Sequence, residues 1–398
     1  MKNSPLRLHS IDVLRALIML LMIFVNDLWS LKDIPNWLEH VSADADGMGL
    51  ADIVFPAFLF IVGMSMPFAI NNRKKKGDPD SAILLHIFTR SFALLVMGVF
   101  LVNGEYLNEE VCLINRPIWN VACCLSFILI WNVYPDHVPV KLQWALKLVG
   151  ITVLVTLAYF YLGGDTGSPQ RFNTWWWGIL GLIGWAYLVA AVLVLYAKGR
   201  IGVMVMAFLV CLVLSSISHL GLVPEDSLLL KLIGPFANGA HPALTLAGVI
   251  LSSLFWDLIF REQPQWMKFT YASVAIAVVL LVSGLVTRPL WGISKIRATP
   301  SWVLVCSAIV VVLFLVVAWL VDRMGKQYWF KPISAGGSDT LLCYLLPYFA
   351  YAMIPLFPFS LPDPFLTGIL GLAKSFLFSL LIIQVAGWLS KQSVKLKL

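Results

Sequence analysis

Long apolar runs separated by short polar turns repeat along the whole chain. At about 20 apolar residues per bilayer crossing, the pattern predicts twelve helices, at 11–31, 50–70, 83–103, 117–134, 141–162, 174–196, 201–220, 238–260, 267–287, 299–321, 338–357 and 364–389. Residues 141–235 are the variable part, where the run RFNTWWWGILGLIGW allows a helix to begin one residue or six later. Period-2 alternation bounded by turn residues does not recur, which sets a transmembrane barrel aside. The predicted fold is an all-α polytopic transmembrane bundle, a single domain over residues 1–398.

The charges between the runs alternate. Loops on the side of the N-terminus carry Arg73, Lys74, Lys75 and Lys76, then Lys198 and Arg200, then Arg323, Lys326 and Lys331, then a tail with Lys391, Lys395 and Lys397. Loops on the other side carry Glu39, Asp44 and Asp46, then Glu105, Glu109 and Glu110, then Asp165, Glu225 and Asp226. An even number of crossings with both termini cytoplasmic follows from the excess of Lys and Arg inside. One loop breaks the rule: RPLWGISKIR belongs outside, yet it holds Arg288, Lys295 and Arg297 and no acid. Either the helix count is wrong there, or a basic surface is kept outside to meet an anionic group on a substrate.

Composition agrees with the pattern. Hydrophobic residues make up 60% and charged residues 12%, and the mean hydropathy is +0.87, values that belong to an integral membrane protein surrounded by lipid. The net charge of +7 lies largely in the loops that set orientation, so no nucleic-acid partner follows. The N-terminal apolar run shows no small-residue cleavage site and is expected to stay as the first helix. The six cysteines have no zinc or haem spacing and are expected as small buried hydrophobes. No metal centre, phosphate-binding loop, metalloprotease motif or nucleophile elbow is expected.

The polar residues inside apolar runs are the candidates for chemistry, because charge is costly there. In the first helix Asp12, Arg15, Met19, Met22 and Asn26 follow spacings of three and four, which puts them on one face. Asp12 and Asn26 are about 21 Å apart along the axis, most of the hydrocarbon thickness. Asp12 and Arg15 read either as an ion pair at the helix start or as part of a binding site, and Asn26 as interhelical glue or as a ligand contact. His40 stands in the following loop among Glu39, Asp44 and Asp46. It is either a solvated loop histidine or a proton carrier working near neutral pH. Further candidates for substrate contact are His241 in NGAHP, Asp52 opening the second helix, Arg116 before the fourth, and the outer basic residues Arg288, Lys295 and Arg297. Ser338 and Asp339, in the turn GGSDT, read either as caps or as phosphate contacts.

The stretches RLHSIDVLRALIMLLMIFVND and GLADIVFPAFLFIVGMSMPFAI resemble the heparan-alpha-glucosaminide N-acetyltransferase family. Arg7, Ser10, Asp12 and Arg15 fit its entry into helix one. Phe24, Val25 and Asn26 fit its next motif, and residues 51–56 fit its alanine-aspartate-leucine-valine-phenylalanine-proline run with Ile53 for leucine. The core of the match is 7–70. Departures are Ala16 in place of a glycine and residues 118–122 in place of glycine-valine-leucine-glutamine-arginine.

The resemblance implies a multi-pass membrane enzyme, a bacterial-type member in the cytoplasmic membrane, that carries an acetyl group from cytoplasmic acetyl-CoA to the amine of a glucosamine-type sugar or oligosaccharide on the far side. The histidine taken as catalytic in that family lies between the two motifs, where this chain has His40, with Asn26 beside it in role. Asp12, Arg15, Ser338 and Asp339 would then face the donor. Asp52, Arg116, His241, Arg288, Lys295 and Arg297 would face the acceptor. A second copy of the chain is a candidate partner. Two other readings stay open: a sugar or lipid-linked glycan transporter, and an O-acetyltransferase acting on a surface polysaccharide.

Overall fold

The structure is a computed structural model, and it describes residues 8–224, 226–354 and 361–398. Arg7, Glu225 and the last three residues of the helix expected at 338–357 lie outside the described residues. Each apolar run forms a helix: α1 (His9–Asp27), α2 (Ala51–Lys75), α3 (Asp80–Glu105), α4 (Arg116–Trp131), α5 (Val140–Phe160), α6 (Ile179–Ala197), α7 (Ile201–His219), α8 (Leu228–Ile233), α9 (Ala240–Ile259), α10 (Trp266–Trp291), α11 (Pro300–Ala318), α12 (Ser334–Ser338), α13 (Thr340–Met353) and α14 (Gly368–Lys391). Among the described residues nine helices are long and apolar enough to cross a membrane, and α4 and α13 are shorter apolar helices. With α1 these account one for one for the twelve expected segments; α8 and α12 are short additions.

Two details depart from the expectation. Helix α6 begins at Ile179 instead of 174, because the tryptophans before it belong to an extended loop. That loop opens with a hairpin of β1 (Gly163–Asp165) and β2 (Ser168–Gln170), paired antiparallel.

The order of contacts places the start of α1 and the end of α14 at one end of the bundle. At this basal end, Arg15 near the start of α1 donates to the Gly337 carbonyl at 2.8 Å, and Ser390 at the close of α14 donates to Asp339 at 2.7 Å. At the opposite, distal end, Asp27 closing α1 meets Lys374 and Ser375 from the opening of α14, at 2.7 Å and 2.6 Å. Asp27 is buried, and removing one partner of such a buried pair typically costs about 3–5 kcal/mol.

Small residues let the central helices approach. A Cβ on Gly63 of α2 would lie 1.8 Å from the Thr245 carbonyl oxygen, and one on Gly248 of α9 would lie 1.9 Å from that of Phe60. The two helices therefore touch backbone to backbone, as membrane helices do at small residues. All six cysteines are free thiols and buried, as the spacing suggested.

The anomalous basic loop is resolved by this packing. Residues 292–299, between α10 and α11, dock on the distal loop before α2: Gly47 N–H donates to the Ile293 carbonyl at 3.0 Å, and Ile293 N–H donates to the Asp46 carboxylate at 2.7 Å. The acid missing from the loop is supplied by Asp46, whose carboxylate accepts from Arg288 Nε at 2.8 Å. The Ile293 amide first, and then the Arg288 guanidinium, hold the Asp46 carboxyl below its ordinary value of 3.8. A carboxyl depressed in the fold contributes stability above its unfolded pKa and loses it as pH falls through the folded one. Docking of residues 288–299 is therefore expected to loosen below about pH 4. Hydrogen exchange across that loop is the check: Asp46→Asn should exchange faster at neutral pH and show no further change on acidification.

Candidate functional site

The loop between α1 and α2 folds back so that His40 reaches the first turn of α2. There its Nδ1 lies 2.7 Å from Asp52 Oδ1. Asp52 is buried at 1% exposure, whereas the His40 side chain is 48% exposed. The other carboxylate oxygen of Asp52 accepts the backbone N–H of Val41 and of Gly49, each at 3.0 Å. The carboxylate thus fixes the loop and the ring together, with Nδ1–H donating and Nε2 left to accept a proton. The sequence expectation put Asp52 in contact with substrate, and the structure puts it under His40.

Lys295 comes to the same place from the docked loop, with Nζ 3.4 Å from His40 Nδ1 and 3.5 Å from Nε2. Burial pushes its ammonium below the ordinary lysine value, against the pull of Asp52. Beneath the group, Trp302 Nε1–H donates to the Asp52 carbonyl at 3.1 Å. His241, buried, lies edge-on to Phe55 and Trp302 with ring centroids 5.4 Å and 6.2 Å away. Its Nδ1 has no hydrogen-bond partner among the described residues.

The three outer basic residues do not gather around one open anion site. Arg288 is held by Asp46, Arg297 donates to the Trp291 carbonyl at 3.0 Å, and Lys295 faces His40. Arg116 is apart from them, donating to the carbonyls of Glu105 and Leu107 at 3.2 Å and 3.3 Å.

The polar face of α1 lines two cavities. The basal one, about 320 Å³, has Arg15, Met19 and Met22 in its wall together with Ser65, Arg90, Ser338, Thr340 and Lys397. The distal one, about 390 Å³, has Met22 and Asn26 with Trp29, Glu105, Tyr348 and Tyr351. Met22, Ile179, Leu180 and Tyr344 belong to both walls. The spacing of α1 therefore marks one face that borders both cavities.

At its basal end Arg15 also donates to Ser65 Oγ at 2.5 Å and lies 3.3 Å from Asp12. Asp12 is not in the cavity wall and acts on it through that arginine. A Cβ on Gly337 would lie 2.4 Å from the Asp12 carbonyl oxygen, so a glycine is needed where α12 meets α1. Ser338 lines the cavity, while Asp339 is buried and accepts from Ser338 at 2.6 Å and from Ser390. His40 is in neither wall, so Asn26 and His40 share the distal end without sharing a cavity.

With this geometry in place, the comparisons with known proteins bear on the same stretch. Residues 7–116 match the family model described as heparan-alpha-glucosaminide N-acetyltransferase, catalytic. That segment is similar to this family. Over 106 residues the chain is 34% identical to heparan-alpha-glucosaminide N-acetyltransferase of Homo sapiens, and over 109 residues it is 34% identical to that of Mus musculus. Each match spans 26% of this chain and 15% of the relative's length. The matched segment contains the α1 seam, His40, Asp52, Arg90 and Glu105, and it stops at the start of α4. Lys295, His241 and the α12 turn come from outside it.

Sequence reasoning missed Arg90, Glu105 and the Asp27–Lys374 pair. Arg90 and Lys374 are charges within apolar runs, the signal that marked Arg15. Glu105 was read only as an orientation charge.

Proposed function

We propose that this protein is a transmembrane acetyltransferase, a single domain that moves an acetyl group from cytoplasmic acetyl-CoA to the amine of a glucosamine-type sugar at the opposite face of a bacterial cytoplasmic membrane. The observation that carries this is the continuous wall of Arg15, Met19, Met22 and Asn26, which lines a cation-bearing cavity at the basal end and a cavity without cations at the distal end. The basal cavity has Arg15, Arg90 and Lys397 in its wall and, among the described residues, no aspartate or glutamate, which suits the phosphates of a nucleotide thioester. The seam beyond it is apolar at Met19 and Met22, which suits an extended pantetheine arm. Basic loops at the basal end and acidic loops at the distal end agree with a cytoplasmic basal face.

The donor supplies an activated acyl carbon with a thiolate leaving group. His40 Nε2 accepts the proton that the acceptor nitrogen loses, and Asp52 holds the ring in the required tautomer and stabilises the imidazolium that forms. Lys295, its ammonium destabilised by burial, stands beside the same ring. Asn26 supplies an amide that can donate to a carbonyl oxygen as negative charge develops.

Sealed vesicles holding the purified chain test the reading. With labelled acetyl-CoA on the basal side and glucosamine on the distal side, acetylglucosamine is expected on the distal side without entry of free glucosamine. Uptake of glucosamine that needs no acetyl-CoA would overturn it in favour of a transporter. Acetyl esters on a polysaccharide with no product on an amine would move the acceptor to a hydroxyl.

A further inference from the structure

The two cavities have opposite charge. Glu105 is the one acidic or basic residue in the distal wall among the described residues. It is the last residue of α3, where the helix dipole disfavours an acid, so helix stability does not explain it. Arg116 donates to its backbone carbonyl and not to its carboxylate. Among the described residues no hydrogen bond or ion pair reaches that carboxylate. Around it stand Asn26, Trp29, Tyr348 and Tyr351, with Trp29 edge-on to Tyr351 at a centroid distance of 5.8 Å. Aromatic faces and an amide beside a carboxylate that makes no hydrogen bond or ion pair among the described residues, with Arg116 acting on it only at longer range, suit a small polyhydroxylated ring that bears a positive charge.

We propose that Glu105 is the acceptor's counter-ion, so that the distal cavity selects a cationic amino sugar and disfavours one carrying sulfate or carboxylate. This rests on the transferase reading for its role in a reaction: the sugar held at Glu105 lies in the cavity of Asn26, and His40 is not in its wall, so it must move to the His40 ring before its nitrogen loses a proton there. The ion pair of Arg288 with Asp46 agrees with it, since one of the bases that could have greeted an anionic sugar is already engaged.

Binding tests this without any turnover. The full chain in lipid discs is titrated calorimetrically with glucosamine, N-acetylglucosamine and glucosamine 6-sulfate. The parent should bind glucosamine about tenfold more tightly than the neutral N-acetylglucosamine, the size of one charge-assisted hydrogen bond, and more tightly than the sulfated sugar. Glu105→Gln should erase the first preference and leave N-acetylglucosamine affinity unchanged, while Glu105→Asp keeps part of it. Equal affinities in the parent, a preference that survives Glu105→Gln, or a parallel loss of N-acetylglucosamine binding would each overturn the inference. Failure of the transferase reading shows separately, as absence of acetyl transfer by the parent.

Discussion

His40→Ala is expected to lower the turnover number for acetyl transfer by about 10²–10⁴-fold while leaving the KM for acetyl-CoA unchanged. The reason is positional: the Nδ1 side of the ring is occupied by a buried carboxylate at 2.7 Å, which leaves Nε2 as the proton acceptor. Asp52→Asn should share the fall in turnover, because an amide can still meet the ring but cannot stabilise its charged form. It should also loosen the loop before α2, since the amides of Val41 and Gly49 lose a charged acceptor. Steady-state rates with acetyl-CoA and glucosamine, together with a thermal melt of each variant, separate the two effects. Transfer by His40→Ala at the parent rate would remove His40 from the chemistry.

The second large effect is on the donor. Arg90→Gln is expected to raise the KM for acetyl-CoA by about ten- to a hundredfold, the range for one hydrogen bond to a charged group, with turnover at saturation unchanged. Arg90 is a cleaner probe than Arg15. Arg15 also ties Ser65 and the Gly337 carbonyl to α1, so replacing it disturbs packing. The Arg90 guanidinium lies 4.7 Å over the Tyr187 ring, and its Nε has no hydrogen-bond partner among the described residues. A short acetyl thioester without a nucleotide should show the same KM in parent and variant. An unchanged KM for acetyl-CoA in Arg90→Gln would take the phosphates out of the basal cavity.

The seam of α1 was legible because it is local: side chains three and four apart on one helix share a face whatever surrounds them, and Arg15, Met19, Met22 and Asn26 do line the cavities. The pairing of His40 with Asp52 was not legible, although both were candidates. Twelve residues separate them, and only the fold of the loop makes one the support of the other. Arg288, Lys295 and Arg297 looked like one basic surface because they are neighbours in the chain, but a docked loop turns adjacent side chains to different partners.

The hydrophobic pattern by itself determined where the apolar helices fall, because a helix that must satisfy its own backbone in lipid needs little help from its neighbours. It also determined the polar face of α1 and the stretch that carries the family match. Tertiary structure alone decided that the acid for the outer basic loop is Asp46, that Lys295 faces His40, and that Arg90 and Glu105 belong to opposite cavities. Those are contacts between segments far apart in sequence, set by how helices pack, and no local periodicity encodes them.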